Sequence, residues 1–370
     1  MNPQPTPDAL TGAEAPAFVD IVDSWEEAAG LEAEPLIVLE GLRAALGSDE
    51  LPQVERIDAG YSNPTFVVCD AGRRYVLRRP PRPPFAPKAH DVLREYRILA
   101  ALKSEAVRAP TPALMSEDPA HMNAPFYLME ALDGVVLRGA TTPPFDTPEQ
   151  RALIGAELID ALAELHDVDA GSVGLGDPAR GEQYLARQLD LWSGQWEERA
   201  GRRDIPEIDV LSAWLRAEMP VSRRVAIVHG DYKLDNVFFA RDAPARLIAI
   251  LDWEMATLGD PLADLGFLTG TWTQAGEDPE AVGGLSAVTA EPGFPTRREL
   301  AERYAQRSGL PLDDLAWYQA LAVWKLAILL EATYQRYRAG TLLGERFAQL
   351  EEGIPRMAAL AHAASTGALL

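Results

Sequence analysis

His229-Gly230-Asp231-Tyr232-Lys233-Leu234-Asp235-Asn236 lies between two apolar runs, Val225-Ala226-Ile227-Val228 and Val237-Phe238-Phe239-Ala240. After a turn at Arg241–Arg246 comes a third run, Leu247-Ile248-Ala249-Ile250-Leu251, which ends on Asp252-Trp253-Glu254. Asp and Pro in the turn predict that the two runs flanking it pair antiparallel. A hairpin centred on Pro244 sets Asn236 opposite Asp252, so both side chains emerge at one end of the hairpin. Asp231 precedes Asn236 on a loop that opens with Gly230. Two carboxylates and an amide oxygen then converge on one place. Hard oxygen donors of this kind suit magnesium, which takes its other ligands from water and substrate phosphates. A carboxylate beside such an ion can accept a hydroxyl proton as the hydroxyl attacks phosphorus. Each residue alone is an ordinary turn former. Three of them in hairpin register beside an imidazole predict metal-assisted phosphoryl transfer.

Upstream, the hydrophobic period changes. Residues 1–30, rich in Pro, Ala and acid, read as a flexible acidic arm with a short helix around Phe18–Ala29. Leu36, Leu39, Leu42 and Leu46 have helical spacing closed by Gly47. Val54–Asp58, Thr65–Cys69 and Arg74–Arg79 read as strands, followed by a helix over Ala89–Lys103 and further strands at Pro110–Met115 and Phe126–Glu130. From about Thr147 the pattern is helical, at Arg151–His166, Glu182–Ala200, Asp209–Glu218, Asp313–Arg338 and Gly344–Ala364, with a loop over Ala275–Pro295. A small sheet-bearing lobe followed by a mostly helical one predicts a cleft.

Composition bounds the chemistry. Across 370 residues, Lys+Arg number 34 against 56 Asp+Glu, a net charge of −22, which argues against nucleic-acid or anionic-membrane partners. A hydrophobic fraction of 47% excludes a disordered or collagen-like polymer. The single cysteine, Cys69, excludes an internal disulfide framework, and five scattered histidines do not form a multi-histidine metal centre. With no secretory signal pattern and no uninterrupted apolar stretch of membrane-spanning length, the expectation is a cytoplasmic protein.

The stretch His229–Asn236, followed by Leu251-Asp252-Trp253-Glu254, resembles the aminoglycoside phosphotransferase and choline kinase superfamily, relatives of the protein kinases. Leu251–Gly266 looks closest to the phosphotransferase domains fused to some acyl-CoA dehydrogenases and to free-standing bacterial forms. The likeness runs from about Val54 to Arg338. It implies an α+β, bilobal protein-kinase-like fold, with an antiparallel-sheet nucleotide-binding lobe over 31–131 and a larger, mainly helical catalytic and acceptor-binding lobe over 132–370. It also implies ATP, or another nucleoside triphosphate, and Mg2+. Asp231 would be the catalytic base, Asn236 and Asp252 would hold magnesium, and His229 would organise the loop. Asp264 matches the carboxylate that braces that loop from below. Glu254 either touches a second ion through water or faces solvent.

At the nucleotide end, the turn Gly60-Tyr61-Ser62-Asn63 can present backbone N–H groups to phosphate, although a plain hairpin turn fits equally. Lysine occurs only at Lys88, Lys103, Lys233 and Lys325, so no Gly-Lys-Ser/Thr phosphate loop exists. The family's strand lysine is replaced by arginine, with Arg78 the candidate and Glu95 its expected salt-bridge partner. A guanidinium stays charged and grips phosphate bidentately. Strand alternation turns Arg79 to the other face, where solvation is expected. Phe126–Ala131 resembles the interlobe hinge, with Met129 and Ala131 offering main-chain groups to adenine.

For the acceptor, Lys325 sits in a strongly apolar helix and either snorkels, the slightly favoured reading, or reaches the cleft to meet an anion. Arg336 is a second cationic candidate. The tryptophans Trp192, Trp196, Trp272, Trp317 and Trp324 read mostly as core. The expectation is thus an ATP-dependent, magnesium-requiring phosphotransferase acting on a hydroxyl of a small molecule, a hydroxy acid or hydroxyacyl-CoA. An amino-alcohol kinase and a catalytically idle nucleotide-binding module are the alternatives. A protein kinase is disfavoured, because Asp-Phe-Gly and Ala-Pro-Glu are missing.

Overall fold

Ala71 and Gly72 both take positive φ, 46° and 78°, the backbone that a two-residue type I′ hairpin demands. They join the strands Thr65–Asp70 and Arg73–Arg78 at the centre of a five-stranded sheet. The computed structural model describes residues 19–369 apart from 32, 58–62, 84–89, 172, 176–177, 199–200 and 343. The chain divides into two units, residues 1–93 with 113–131, and residues 94–112 with 132–370.

In chain order the first unit carries β1 (Ile21–Val22), α1 (Trp25–Ala29), β2 (Ile37–Val38), α2 (Leu39–Leu46), β3 (Gln53–Ile57), β4 (Thr65–Asp70) and β5 (Arg73–Arg78). Helix α3 (Val92–Leu102) leads into the second unit, and the chain returns for β6 (Pro112–Ser116) and β7 (Phe126–Glu130). The sheet order is β3-β4-β5-β7-β6, antiparallel from β3 through β7. Alternation puts Phe66, Val68, Leu77, Phe126 and Leu128 on one face, where they bury against Leu36, Ile37, Leu42 and Met122.

Three expectations change here. Residues 19–30 are part of the unit: β1 pairs with β2 in parallel, and Asp20 forms salt bridges with Arg56 and with Arg82. Leu36 precedes the helix and packs from a bend just before β2, because α2 begins only at Leu39; its stop at Gly47, φ 66°, is as read. Arg79 is buried rather than solvated. Its Nη1 reaches the Leu36 carbonyl and, at 3.0 Å, Asn123 Oδ1, while Nε donates to the Pro80 carbonyl at 3.0 Å. Burial, reinforced by Arg82, lowers its pKa to about 10 against the opposing pull of Glu34 and Asp20.

The second unit takes in most of α3, then α4 (Pro148–Asp167), α5 (Pro178–Glu182), α6 (Tyr184–Glu197) and α7 (Pro206–Ala217). Two short hairpin pairs follow, built from β8 (Ala226–Val228), β9 (Val237–Phe239), β10 (Leu247–Ile250) and β11 (Thr257–Gly259), with β9 on β10 and β8 on β11. Helices α8 (Leu262–Gly270), α9 (Arg297–Ser308), α10 (Leu315–Arg338) and α11 (Leu350–Ser365) complete it. The reason residues 94–112 join this unit is visible at Arg108, whose guanidinium meets Glu157 at 2.6 Å and Glu164 at 2.8 Å on α4. The segment expected as a loop over 275–295 contains two 3-10 turns, Pro279–Val282 and Ala287–Ala290. Helix α10 is long and apolar enough to cross a membrane, with mean hydropathy 1.3 over its best window, although Gln319, Lys325 and Glu331 interrupt its apolar run. In the structure 72% of that window is buried, and Trp317, Tyr318 and Trp324 are core residues.

Candidate active site

Gly230 sets the loop. Its φ is +84°, and a Cβ there would lie 2.8 Å from the Met255 carbonyl oxygen, so the turn needs both glycine's backbone freedom and its missing side chain. The turn aims two successive N–H groups at one buried carboxylate. Asp264 Oδ2 accepts from His229 N–H at 2.6 Å, and Oδ1 accepts from Gly230 N–H at 2.8 Å. His166, at the end of α4, adds its Nε2 at 3.2 Å from Oδ2, while its Nδ1 lies 2.7 Å from the Tyr304 hydroxyl. Burial acts to raise the Asp264 carboxyl, but the His166 hydrogen bond and charge and the His229 N–H outweigh it and hold it below the usual carboxylate range.

The His229 ring works within the loop. Its Nε2 donates to the Leu251 carbonyl at 2.8 Å, and its Nδ1 accepts from the Asp231 N–H at 3.3 Å. With one nitrogen donating and the other accepting, the ring has the neutral Nε2–H tautomer. It is an organiser whose nitrogens both have partners.

Asp231 remains partly open, and its carboxylate is oriented from two sides. Lys233 Nζ reaches Oδ1 at 2.8 Å and Oδ2 at 2.7 Å, and Asn236 Nδ2 donates to Oδ2 at 2.8 Å and to the Asp231 carbonyl at 2.9 Å. Holding its amide nitrogen toward Asp231 leaves Asn236 with its oxygen as the other end. Sequence reasoning assigned no role to Lys233 or His166. Lys233 was visible two positions after Asp231, whereas His166 had no local signal.

The hairpin pairs, but one step away from the expected register. Ile250 stands opposite Val237, and Leu251 N–H donates to the Asn236 carbonyl at 2.8 Å, so Asn236 faces Leu251 rather than Asp252. Next to the turn, Leu247 faces Phe239 and the Ala240 N–H donates to the Arg246 carbonyl at 2.9 Å, so the hairpin centres on Ala243 rather than Pro244, and the extra residue Ile248 on β10 recovers one of the two positions lost. Asp252 then takes left-handed backbone, φ 63° and ψ 69°, as the strand gives way to a 3-10 turn over Trp253–Met255. A carboxylate oxygen from each of Glu95, Asp252 and Glu254 lies within 4.8 Å of the other two. Three like charges this close favour a cation among them, and hard carboxylate oxygens match magnesium's preference. Glu95 is fully buried.

The remaining candidates lie on other elements. Gly60 and Ser62 lie outside the described residues. Asn63 is buried, with Oδ1 2.9 Å from His90 Nδ1. Arg78 is buried on β5, in register with Thr65 and Tyr127. Arg78 belongs to the first unit and Glu95 to the second. Met129 pairs with Val76, and the Ala131 N–H donates to the Arg74 carbonyl at 3.3 Å, so that N–H is already committed to the sheet. Lys325 is half-buried, and its side chain turns inward toward Trp192. It lines a small interior cavity with Gly230, Asp264 and Phe267, its Nζ 5.5 Å from the Trp192 ring centre. Burial lowers its pKa, opposed by the charges of Asp264 and Asp231. Arg336 is exposed further along α10, 11 residues or about 16 Å of helix beyond Lys325.

A loop carboxylate gripped by neighbouring donors, a second buried carboxylate bracing that loop, and two carboxylates after the following strand joined by Glu95 from α3 are the arrangement of a kinase-like phosphotransferase. A family description, the phosphotransferase enzyme family (APH), matches residues 53–321, and the chain belongs to that family. Among curated relatives, acyl-CoA dehydrogenase family member 11 of Rattus norvegicus is 36% identical over 290 residues, 78% of this chain and 37% of that protein. Family member 10 of Mus musculus is 32% identical over 302 residues, 81% of this chain and 28% of that protein. The chain thus spans well under half the length of these relatives. A solved structure from Ralstonia eutropha, described as a putative aminoglycoside phosphotransferase, superposes with TM-score 0.75 at 30% identity, over 89% of this chain and 98% of that one. Aminoglycoside phosphotransferase APH(4)-Ia, in ternary complex with AMP-PNP and hygromycin B, has the same fold at TM-score 0.56 and 17% identity, over 88% and 97% of the chains.

Proposed function

We propose that the chain is an ATP-dependent, magnesium-requiring phosphotransferase whose acceptor is a hydroxyl of a small anionic molecule. The observation that carries the reading is the Asp231 carboxylate, partly open and fixed by Lys233 and Asn236 on a loop anchored to Asp264. As the acceptor oxygen bonds to the γ-phosphorus and the bond to the ADP oxygen breaks, Asp231 takes the hydroxyl proton. Lys233, with its ammonium on both Asp231 oxygens, orients that carboxylate until the acceptor arrives and then yields one oxygen to it. Asn236 and Asp252 would hold magnesium, with Glu254 and Glu95 as carboxylates beside Asp252. Magnesium, when bound, neutralises the charge developing on the phosphate oxygens. In the first unit the proposal gives the nucleotide phosphates to Arg78 and adenine to main-chain groups at Met129 and Ala131, the latter through its carbonyl.

Lys325 favours an anionic acceptor over an amino alcohol. A buried ammonium beside Gly230 and Asp264 repels a cationic substrate and attracts a carboxylate or phosphate. Hydroxy acids and hydroxyacyl-CoA esters are the classes proposed. The test is coupled ADP release over a panel of hydroxy acids, hydroxyacyl-CoAs, amino sugars and choline analogues, with Asp231→Asn as the control. Acceptor-dependent release that vanishes in the variant supports the reading. Equal release from wild type and variant across the panel rejects the assigned base, and turnover of amino sugars or choline analogues alone rejects the anionic acceptor.

A further inference from the structure

The chain carries a net charge of −22, yet four arginines converge on one cavity of about 500 Å3 in the second unit. Arg94 and Arg97 come from α3, Arg180 from α5 and Arg187 from α6, and Ile98 and Leu258 supply an apolar wall. Positions 94, 97 and 98 share one face of α3 by helical spacing. Arg187 Nη1 donates to the Arg180 carbonyl, which ties α5 to α6. Arg94 donates from Nη1 to the Glu254 carbonyl at 3.0 Å and from Nη2 to the Ala256 carbonyl, which fixes its guanidinium at the cavity's inner wall. Among the described residues Arg97, Arg180 and Arg187 form no ion pair with a carboxylate, whereas Arg108, Arg151, Arg203 and Arg303 each do.

Three exposed guanidinia, Arg97, Arg180 and Arg187, without an ion-pair partner among the described residues of a chain rich in carboxylates, make a local positive field suited to an anion. We propose that this cavity binds a phosphate-bearing organic anion, at a site separate from the phosphoryl-transfer site. None of Asp231, Lys233, Asn236 or Asp252 lines it. Phosphate is the class because a guanidinium's planar fork pairs with two of its oxygens, and a phosphate ester or diphosphate has enough charge to engage several forks at once. A monocarboxylate neutralises only one. The volume is within the usual range for small-molecule sites, and the apolar wall accommodates a ring or short aliphatic part of the ligand.

Binding of inorganic pyrophosphate, measured by calorimetry at low ionic strength with EDTA present, tests the site without any turnover. Wild type should bind saturably, acetate should bind far more weakly, and Arg97→Ala/Arg187→Ala should lose at least about tenfold in affinity. Both positions are exposed, so the fold should persist; thermal melts check this, and the single variant Arg97→Gln should weaken binding in the same direction. Arg356→Ala, which lines a different cavity, should bind as wild type does. Unchanged affinity in the double variant overturns the proposal, as does loss in Arg78→Ala instead. Acetate binding as well as pyrophosphate overturns the phosphate class. Because no acceptor is involved, failure here leaves the phosphotransferase reading standing, and the reverse holds too.

Discussion

Replacing Asp264 by Asn changes one oxygen to NH2 and removes a charge at the point where the loop is anchored. The wild-type carboxylate accepts from His229 N–H at 2.6 Å, Gly230 N–H at 2.8 Å and His166 Nε2 at 3.2 Å. An asparagine oxygen can serve one side of this arrangement, but its NH2 then faces a donor on the other. Hydrogen bonds to a charged acceptor contribute about 1.5–3 kcal/mol, and a buried unsatisfied donor costs about 1–3 kcal/mol. Two weakened bonds and one orphaned donor together predict a loss of about 3–5 kcal/mol at pH 7. Urea unfolding gives the value directly, through the midpoint at unchanged slope. The pH dependence adds a second check. Because the folded carboxyl is held below its unfolded value, its stabilisation is complete above the ordinary carboxylate range and is lost as pH falls through the lowered value. The gap between wild type and variant should therefore shrink only in acid, below about pH 4. A loss under about 1 kcal/mol at pH 7, or a gap that persists undiminished into strong acid, would refute the reasoning.

Asp231→Asn should lower acceptor-dependent ADP release by about 10²–10⁴-fold, with nucleotide affinity changed little, as equilibrium binding would show. Lys325→Met removes a buried ammonium and should raise stability at neutral pH by on the order of 1 kcal/mol while raising the KM for an anionic acceptor. Wild-type stability should also climb as pH rises from the lowered Lys325 value toward the ordinary lysine value, since there the unfolded chain binds more protons, and the variant should lack that climb. Gly266→Ala would put a Cβ 2.5 Å from Tyr318 Cβ and 2.6 Å from its carbonyl carbon, forcing α8 from α10; a fall of about 3 kcal/mol in urea unfolding is expected. Asp252→Asn should raise the magnesium concentration needed for half-maximal turnover at least tenfold, read from a metal titration after EDTA treatment.

The parts of the site that were legible in the sequence are those that sit close together along the chain. His229, Asp231 and Asn236 share one loop, and the apolar runs around them announced the β9–β10 pairing. Its register was misjudged by one residue because the turn centres on Ala243 rather than Pro244, and a bulge at Ile248, which leaves no trace in an apolar run, makes up only one of the two positions. Arg79 was misplaced for another reason. Alternation tells which face a strand residue uses, but not that residues from 36 onward cover that face and offer Arg79 a carbonyl. Glu95 joins Asp252 and Glu254 from far away in sequence, and His166 reaches Asp264 from 98 positions upstream. No period or motif encodes such meetings; packing creates them. Lys325 followed the same logic, since Gly230, Asp264 and Phe267, which line a cavity with it, come from elements that no local pattern places beside α10.

The distance between Asp264 and the loop it anchors has a temporal consequence. His229 and Gly230 are made 35 and 34 residues before their acceptor. While the protein is being synthesised from its N-terminus, the loop emerges before the carboxylate that fixes it, and α8 must still form and dock. A chain interrupted anywhere between Asn236 and Asp264 therefore holds every residue of the catalytic loop and lacks the means to set it. The proposed phosphoryl transfer would then switch on only at a late stage of maturation, and the first appearance of activity would date the docking of α8.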